Sequence, residues 1–267
     1  MRIRRFTRLQ RLFHVLLMLT FMVQATTGLG RLYIETAWGR SVAGLFGGYT
    51  GCLAVHKWVG GVMLILFGLH VLYALWIIAS GRSRGQDTLL PRVSDAKQFL
   101  RHTGWILGLC AEPRFDRWTW WEKFDYWAVF WGMVVLGGTG LILIDPLASS
   151  QVMAGWGLNV ALWVHRIEAV LAIAHVVLIH FFVAHLRRTH FPMDKAMFEG
   201  SVPLAEAEAE RPAWVERLRG EGRLDIQGGA GAQGIVRAVY FVFGYAVVVC
   251  GVVLVVYGLL NARLVTW

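Results

Sequence analysis

At 267 residues the chain is long enough for one or two soluble domains, yet 57% of it is apolar and only 16% charged. A soluble globular chain carries about a quarter charged residues, and the mean hydropathy of +0.53 excludes that class in favour of an integral membrane protein. The formal net charge of +9 would suit nucleic acid, but Lys and Arg fall in three runs (1–11, 81–125 and 187–237), with only Arg31, Arg40, Lys57, Arg166 and Arg263 outside them. That is the positive-inside asymmetry of a polytopic chain, not a basic groove for phosphates, and no nucleic-acid partner is expected.

The first apolar segment, about 12–30, follows the basic MRIRRFTRLQR and lacks a small-residue cleavage site, so it reads as a retained helix. The second covers about 56–79. The third, about 124–145, begins in the aromatic run Trp118, Trp120, Trp121, Tyr126, Trp127 and stops before Asp145-Pro146. The fourth covers about 160–186 and the fifth about 235–260. Each is near the twenty residues that a bilayer core requires. Thirteen tryptophans and fifteen phenylalanines suit two aromatic interfacial belts.

With the basic N-terminus in the cytoplasm, the loops 81–123 and 187–234 also fall there and the C-terminus lies outside. The expected organisation is a four-helix membrane domain over 1–200, a cytoplasmic linker over 201–234, and a fifth helix with a short periplasmic tail over 235–267. Within the linker, 201–225 reads as a soluble excursion with one short amphipathic surface helix, and GGAGAQG as a flexible lead into the last span. That span carries no His, Asp, Glu or Lys and reads as an anchor or a partner-docking helix. No internal repeat stands out. Cys52, Cys110 and Cys250 form no CxxC and no CxxCH, which excludes covalent c-type heme attachment and leaves three unpaired cysteines expected.

The histidines carry the chemistry. His56 and His70 are fourteen apart in the second segment; His165 and His180 are fifteen apart in the fourth. At about 1.5 Å of rise per residue each pair spans roughly 21–23 Å, most of a bilayer core, and its members look towards roughly the same side. Ionisable residues are costly in a bilayer and are functional candidates there. Imidazoles at two matched depths on two helices are what bis-histidine heme iron needs. His56 and His165 match near the outer surface; His70 and His180 match near the inner one. His14 and His185 also match each other at the inner end, so His14 competes with His70 for His180, or a third heme binds.

Two b-type hemes, or three, are therefore expected, with iron ligands drawn from His14, His56, His70, His165, His180 and His185. His175 reads as a core histidine, and His102 and His190 as exposed loop residues. Gly28, Gly30, Gly60, Gly61, Gly68, Gly137, Gly138 and Gly140 thin three helices, for a macrocycle or for helix packing. Lys57, Arg31, Arg40 and Arg166 lie near the outer level and Arg11 near the inner, as propionate partners or as snorkelling side chains. Glu168 is a rare acid within a span, placed to take quinol protons or to pair with an outer cation such as Lys57.

Several of these residues match a known pattern. Arg11-x-x-His14 with Thr27-Gly28-Leu29 resembles the first helix of the cytochrome b subunits of formate dehydrogenases and nickel–iron hydrogenases. His56-Lys-Trp-Val-Gly60 resembles their second-helix ligand motif, and His180-Phe-Phe-Val-Ala184 with Met197-Phe-Glu-Gly200 the end of their fourth helix. Trp121 to Trp127, and His180 to Asp194, are similar to a branch that accompanies multiheme c-type cytochromes. The resemblance covers roughly 5–200. It implies an outer heme on His56 and His165 and an inner heme on His14 and His180. This chain departs in its fifteen-residue spacing on the fourth helix and in its extra His70 and His185, which leaves the inner pairing open.

The resemblance further implies an all-α membrane bundle of five helices, four of them enclosing the hemes, in the bacterial inner membrane. Its role would be that of a quinone-reactive subunit of a respiratory oxidoreductase, passing electrons between quinone and a periplasmic c-type cytochrome, iron–sulfur or dehydrogenase subunit. The competing expectations are a cofactor-free histidine relay in a transporter or proton channel, and a passive membrane anchor.

Overall fold

The computed structural model describes residues 1–82, 85–187, 189–227 and 231–265. A short strand β1 (Arg2–Arg4) leads into α1 (Arg8–Leu32), α2 (Ala37–Gly44) and α3 (Gly48–Ala79). Then come α4 (Val93–Ile106), α5 (Trp120–Ile144), α6 (Pro146–Ser150) and α7 (Gly155–Ala174). The axis of α7 continues in wide π-helical turns over His175–His180 and Phe182–Leu186. The chain closes with α8 (Ala196–Glu199), β2 (Ser201–Pro203), α9 (Leu204–Glu210), α10 (Pro212–Gly220), β3 (Ile226–Gln227) and α11 (Gly234–Asn261). Among the described residues five helices are long and apolar enough to span a membrane: α1, α3, α5, α7 with its π continuation, and α11. All three cysteines are free. Residues 228–230 of the glycine-rich lead lie outside the described residues.

The chain divides into two compact units. The larger comprises 12–70, 130–194 and 238–267 and is the helix bundle. Its outward side chains are apolar, as in Trp58, Ile65, Trp131, Leu171 and Leu178, each at least half exposed. Water would not tolerate such a face, and a lipid does. Inside, Ala25 and Leu29 of α1, with Tyr33 just past its end, pack with Ile173 of α7 and Leu254 of α11. The buried Gly244, Gly251 and Gly258 give α11 a small-residue stripe at heptad spacing. A Cβ on Gly251 would sit 2.8 Å from the Phe181 ring, so only glycine lets α11 approach α7 this closely. The Tyr33 hydroxyl donates to the Gly258 carbonyl at 2.8 Å, and Trp38 stacks on Tyr257.

The smaller unit comprises 1–11, 71–129 and 195–237. It is assembled from the N-terminus, the α3–α5 connection and the segment that follows the fourth span. β1 is the middle strand of an antiparallel sheet in the order β2-β1-β3, with Ile3 opposite Val202 and Ile226. Residues 201–220 hold more than one surface helix. Ala207 of α9 and Trp214, Val215 and Leu218 of α10 bury against Ile3, Phe6 and Val202.

Charge locks this unit from within. Glu122 accepts from Arg5 at 2.5 Å and from Arg211 at 3.0 Å, and Lys123 meets Asp95 at 2.8 Å. Asp87 lies among Arg217 at 2.9 Å, Arg223 at 3.1 Å and Arg117 at 3.6 Å. Burial alone would push the Asp87 carboxyl up, but hydrogen bonds and charge from these arginines outweigh it and hold the group below its ordinary value.

Candidate functional site: paired histidines in the bundle

His56 on α3 and His165 on α7 face each other with ring centres 6.2 Å apart. Each is held in the same way. The Nδ1 of His56 lies 2.9 Å from Thr27 Oγ1, and the Nδ1 of His165 lies 2.9 Å from Thr139 Oγ1. Each threonine hydroxyl donates its own hydrogen one turn back, to the Val23 or the Val135 carbonyl at 2.7 Å. A hydroxyl has one hydrogen, so towards the imidazole it can only accept. Both histidines therefore carry their proton on Nδ1 and present an unprotonated Nε2, the form a metal needs.

A glycine follows each threonine. A Cβ at Gly28 would lie 3.4 Å from His56 Cε1, and one at Gly140 would lie 3.5 Å from His165 Cε1. Thr27-Gly28-Leu29 and Thr139-Gly140-Leu141 are thus one tripeptide used twice, each serving the histidine of the next membrane span. This short internal match does not stand out in the sequence and becomes visible once the histidines are in place.

At the other level His14 on α1 and His180 in the π-helical stretch also stand with ring centres 6.2 Å apart. The π turns explain the fifteen-residue spacing. A wide turn takes in one residue beyond α-helical phase, so fifteen residues here reach the rotation that fourteen reach on α3. His70 packs edge-on against Phe13 at 5.5 Å, and His185 lies against Phe181 at 6.0 Å, with Nδ1 buried and lacking a hydrogen-bond partner among the described residues.

Other candidates are occupied elsewhere. Lys57 donates to the Ile144 carbonyl at 2.6 Å, Arg40 to the Glu35 carbonyl, and Arg11 to the Met197 and Phe198 carbonyls. Glu168 comes against α5, where a Cβ on Gly132 would be 3.4 Å from its Oε1. His102 is not an exposed loop residue: it lies half-buried on α4 among Trp105, Phe115, Trp120 and Trp121, and accepts from Trp120 Nε1 at 3.2 Å.

The fit to heme can be tested on these distances. An imidazole nitrogen bonds a transition metal at about 2.0 Å, and a ring with bonds of about 1.33 Å has a radius near ~1.1 Å, so two imidazoles on opposite sides of one iron have centres about 6.2 Å apart. Both pairs have that separation. Among the described residues no group of three or more His, Cys, Asp or Glu could hold a metal by itself. Each pair suits iron whose other four positions a macrocycle fills. Arg31 adds a second sign. Its charge acts on both His56 and His165, yet its Nε is buried without a hydrogen-bond partner among the described residues. An anion such as a propionate would complete it.

A bundle of lipid-facing helices that pairs imidazoles inside defines the membrane b-type cytochromes as a class. The family model described as prokaryotic cytochrome b561 matches residues 5–200, and the chain belongs to that family. No curated protein matches the chain. It is a multi-pass membrane protein that binds b-type heme and transfers electrons.

Proposed function

We propose that the chain is the quinone-reactive membrane subunit of a respiratory oxidoreductase, exchanging electrons between the quinone pool and a periplasmic c-type cytochrome or iron–sulfur partner. It holds two hemes, the outer on His56 and His165 and the inner on His14 and His180. The observation that carries this reading is the repetition of one 6.2 Å ring separation at two levels of the same bundle. Bound heme supplies a reversible one-electron iron couple.

The chain's own residues do the rest. Thr27 and Thr139 hold the Nδ1 protons and so keep each Nε2 lone pair directed into the site. Arg31 offers a partly buried positive charge at the outer level. The apolar bundle keeps water out, and quinone exchange belongs, on the formate dehydrogenase resemblance, beside the inner pair. The concentration of Lys and Arg on the side of the N-terminus supports a cytoplasmic N-terminus and a periplasmic C-terminus in the inner membrane.

The test is pyridine hemochrome quantitation on purified protein, with reduced-minus-oxidised spectra of His165→Ala and His180→Ala. Two hemes per chain are expected, with one lost in each variant, and a quinol analogue should reduce the remainder. Three hemes would bring His70 and His185 in as ligands and overturn the two-site assignment. None would return the chain to a histidine relay or an anchor.

A further inference from the structure

Helix α4 has three faces. One is turned inward and fixed at the first turn of α5: Asp95 pairs with Lys123 at 2.8 Å, the Trp120 amide donates to Gln98 at 2.8 Å, and His102 sits among the tryptophans. A second is apolar and bare. At 3.6 residues per turn, Val93, Phe99, Leu100, Ile106 and Leu107 share an arc of about 140° with Ala96 and Thr103. Leu100 is 67%, Ile106 66% and Val93 78% exposed, and no described residue covers them. The third flank holds Lys97 and Arg101, both exposed, while Asp95, the sole acid of the helix, is spent inward.

We infer that α4 is a membrane-surface helix whose bare face beds into the headgroup region of an anionic leaflet, on the side of the membrane where the N-terminus lies. Three observations choose lipid over a protein partner. Its ends are tied by residues 80–92 and 107–119 to the membrane spans α3 and α5. Its inward face is bonded to the point where α5 begins, which fixes its height at the edge of that span. Its exposed charge is entirely positive beside a broad apolar arc, the pattern of helices that lie in the interface plane. Trp105 and Trp120, on or beside it, are residues that favour this depth.

The experiment uses the heme-loaded protein with Cys110 and Cys250 replaced by serine, spin-labelled at Leu100→Cys or Ser94→Cys. Reconstitution into vesicles of phosphatidylethanolamine and phosphatidylglycerol is followed by collision with oxygen and with a water-soluble nickel chelate. The label at 100 should favour oxygen and that at 94 should favour nickel. Lys97→Gln with Arg101→Gln, or vesicles of phosphatidylcholine alone, should shift the label at 100 towards nickel. Nickel preference at 100 in every vesicle would overturn the inference. So would protection from both reagents, which would mean that a second copy covers the face.

Discussion

Replacing Thr139 by valine removes a hydroxyl and keeps the shape. In the structure that hydroxyl is the acceptor for the Nδ1 proton of His165 at 2.9 Å. Leaving a buried N–H unpaired costs about 1–3 kcal/mol. Removing a partner behind a metal-bound histidine typically lowers metal affinity about 10- to 100-fold. The same bond makes the imidazole more basic, which favours ferric over ferrous iron. If about 1 kcal/mol of the loss differs between oxidation states, the outer potential rises by about 40 mV for one electron. Hemochrome content and a potentiometric titration of the variant in membranes measure both effects. Thr139→Ser retains the acceptor and should behave as the parent. Unchanged occupancy and potential in Thr139→Val, or equal changes in valine and serine variants, would refute the tautomer argument.

Other outcomes follow from the same geometry. Thr27→Val should repeat the effect through His56, and neither threonine variant should move the inner potential. Arg31→Gln removes a positive charge that acts on both outer histidines, so the outer potential should fall by tens of millivolts, about a tenfold change or less in the one-electron equilibrium; a rise would place Arg31 elsewhere. Gly251→Ala drives a methyl into Phe181 and should destabilise the bundle by about 1–3 kcal/mol in thermal unfolding, with heme count per folded chain preserved. In the smaller unit the Asp87 carboxyl is held below its ordinary value by arginines. Its contribution is therefore present above the unfolded value near 3.8 and disappears as pH falls through the lower folded one. Asp87→Asn should cost about 1–3 kcal/mol at pH 7, less than for a fully dry pair because Arg223 reaches solvent. The parent–variant difference should vanish in acid.

The spans were legible because lipid imposes length and apolarity on every helix, and the sequence segments differ from the helices mainly at their ends. α3 begins at Gly48 rather than near His56, because the polar-looking Gly48-Tyr-Thr-Gly-Cys still continues the helix ahead of its apolar run. The histidine depths were legible for the same reason. Phase was not: fifteen residues on the fourth helix look out of register until the π turns take in the extra one. The Thr-Gly-Leu repeat is hard to read from sequence because three residues over a separation of 112 positions make a weak signal without the histidines they touch. Residues 201–220 read as a solvated excursion because AEAEAE dominates the eye. The i, i+1, i+4 face of Trp214, Val215 and Leu218 was the signal for a buried helix. His102 looked like a surface residue because its four aromatic neighbours come from α4, from α5 and from the loop between them.

The doubled tripeptide has a bearing on the inner level as well. The same threonine–histidine arrangement occurs twice, with Thr27 and His56 in the first pair of spans and Thr139 and His165 in the second. The step from Thr27 back to His14, applied to Thr139, falls on Tyr126. The step from His165 to His180, less the residue absorbed by the π turns, carries His56 to His70. On this correspondence His70 stands at the position of His180, and Tyr126 at the position of His14. His70 is thus the sequence counterpart of His180, in a pair of spans whose counterpart carries tyrosine where the first carries His14.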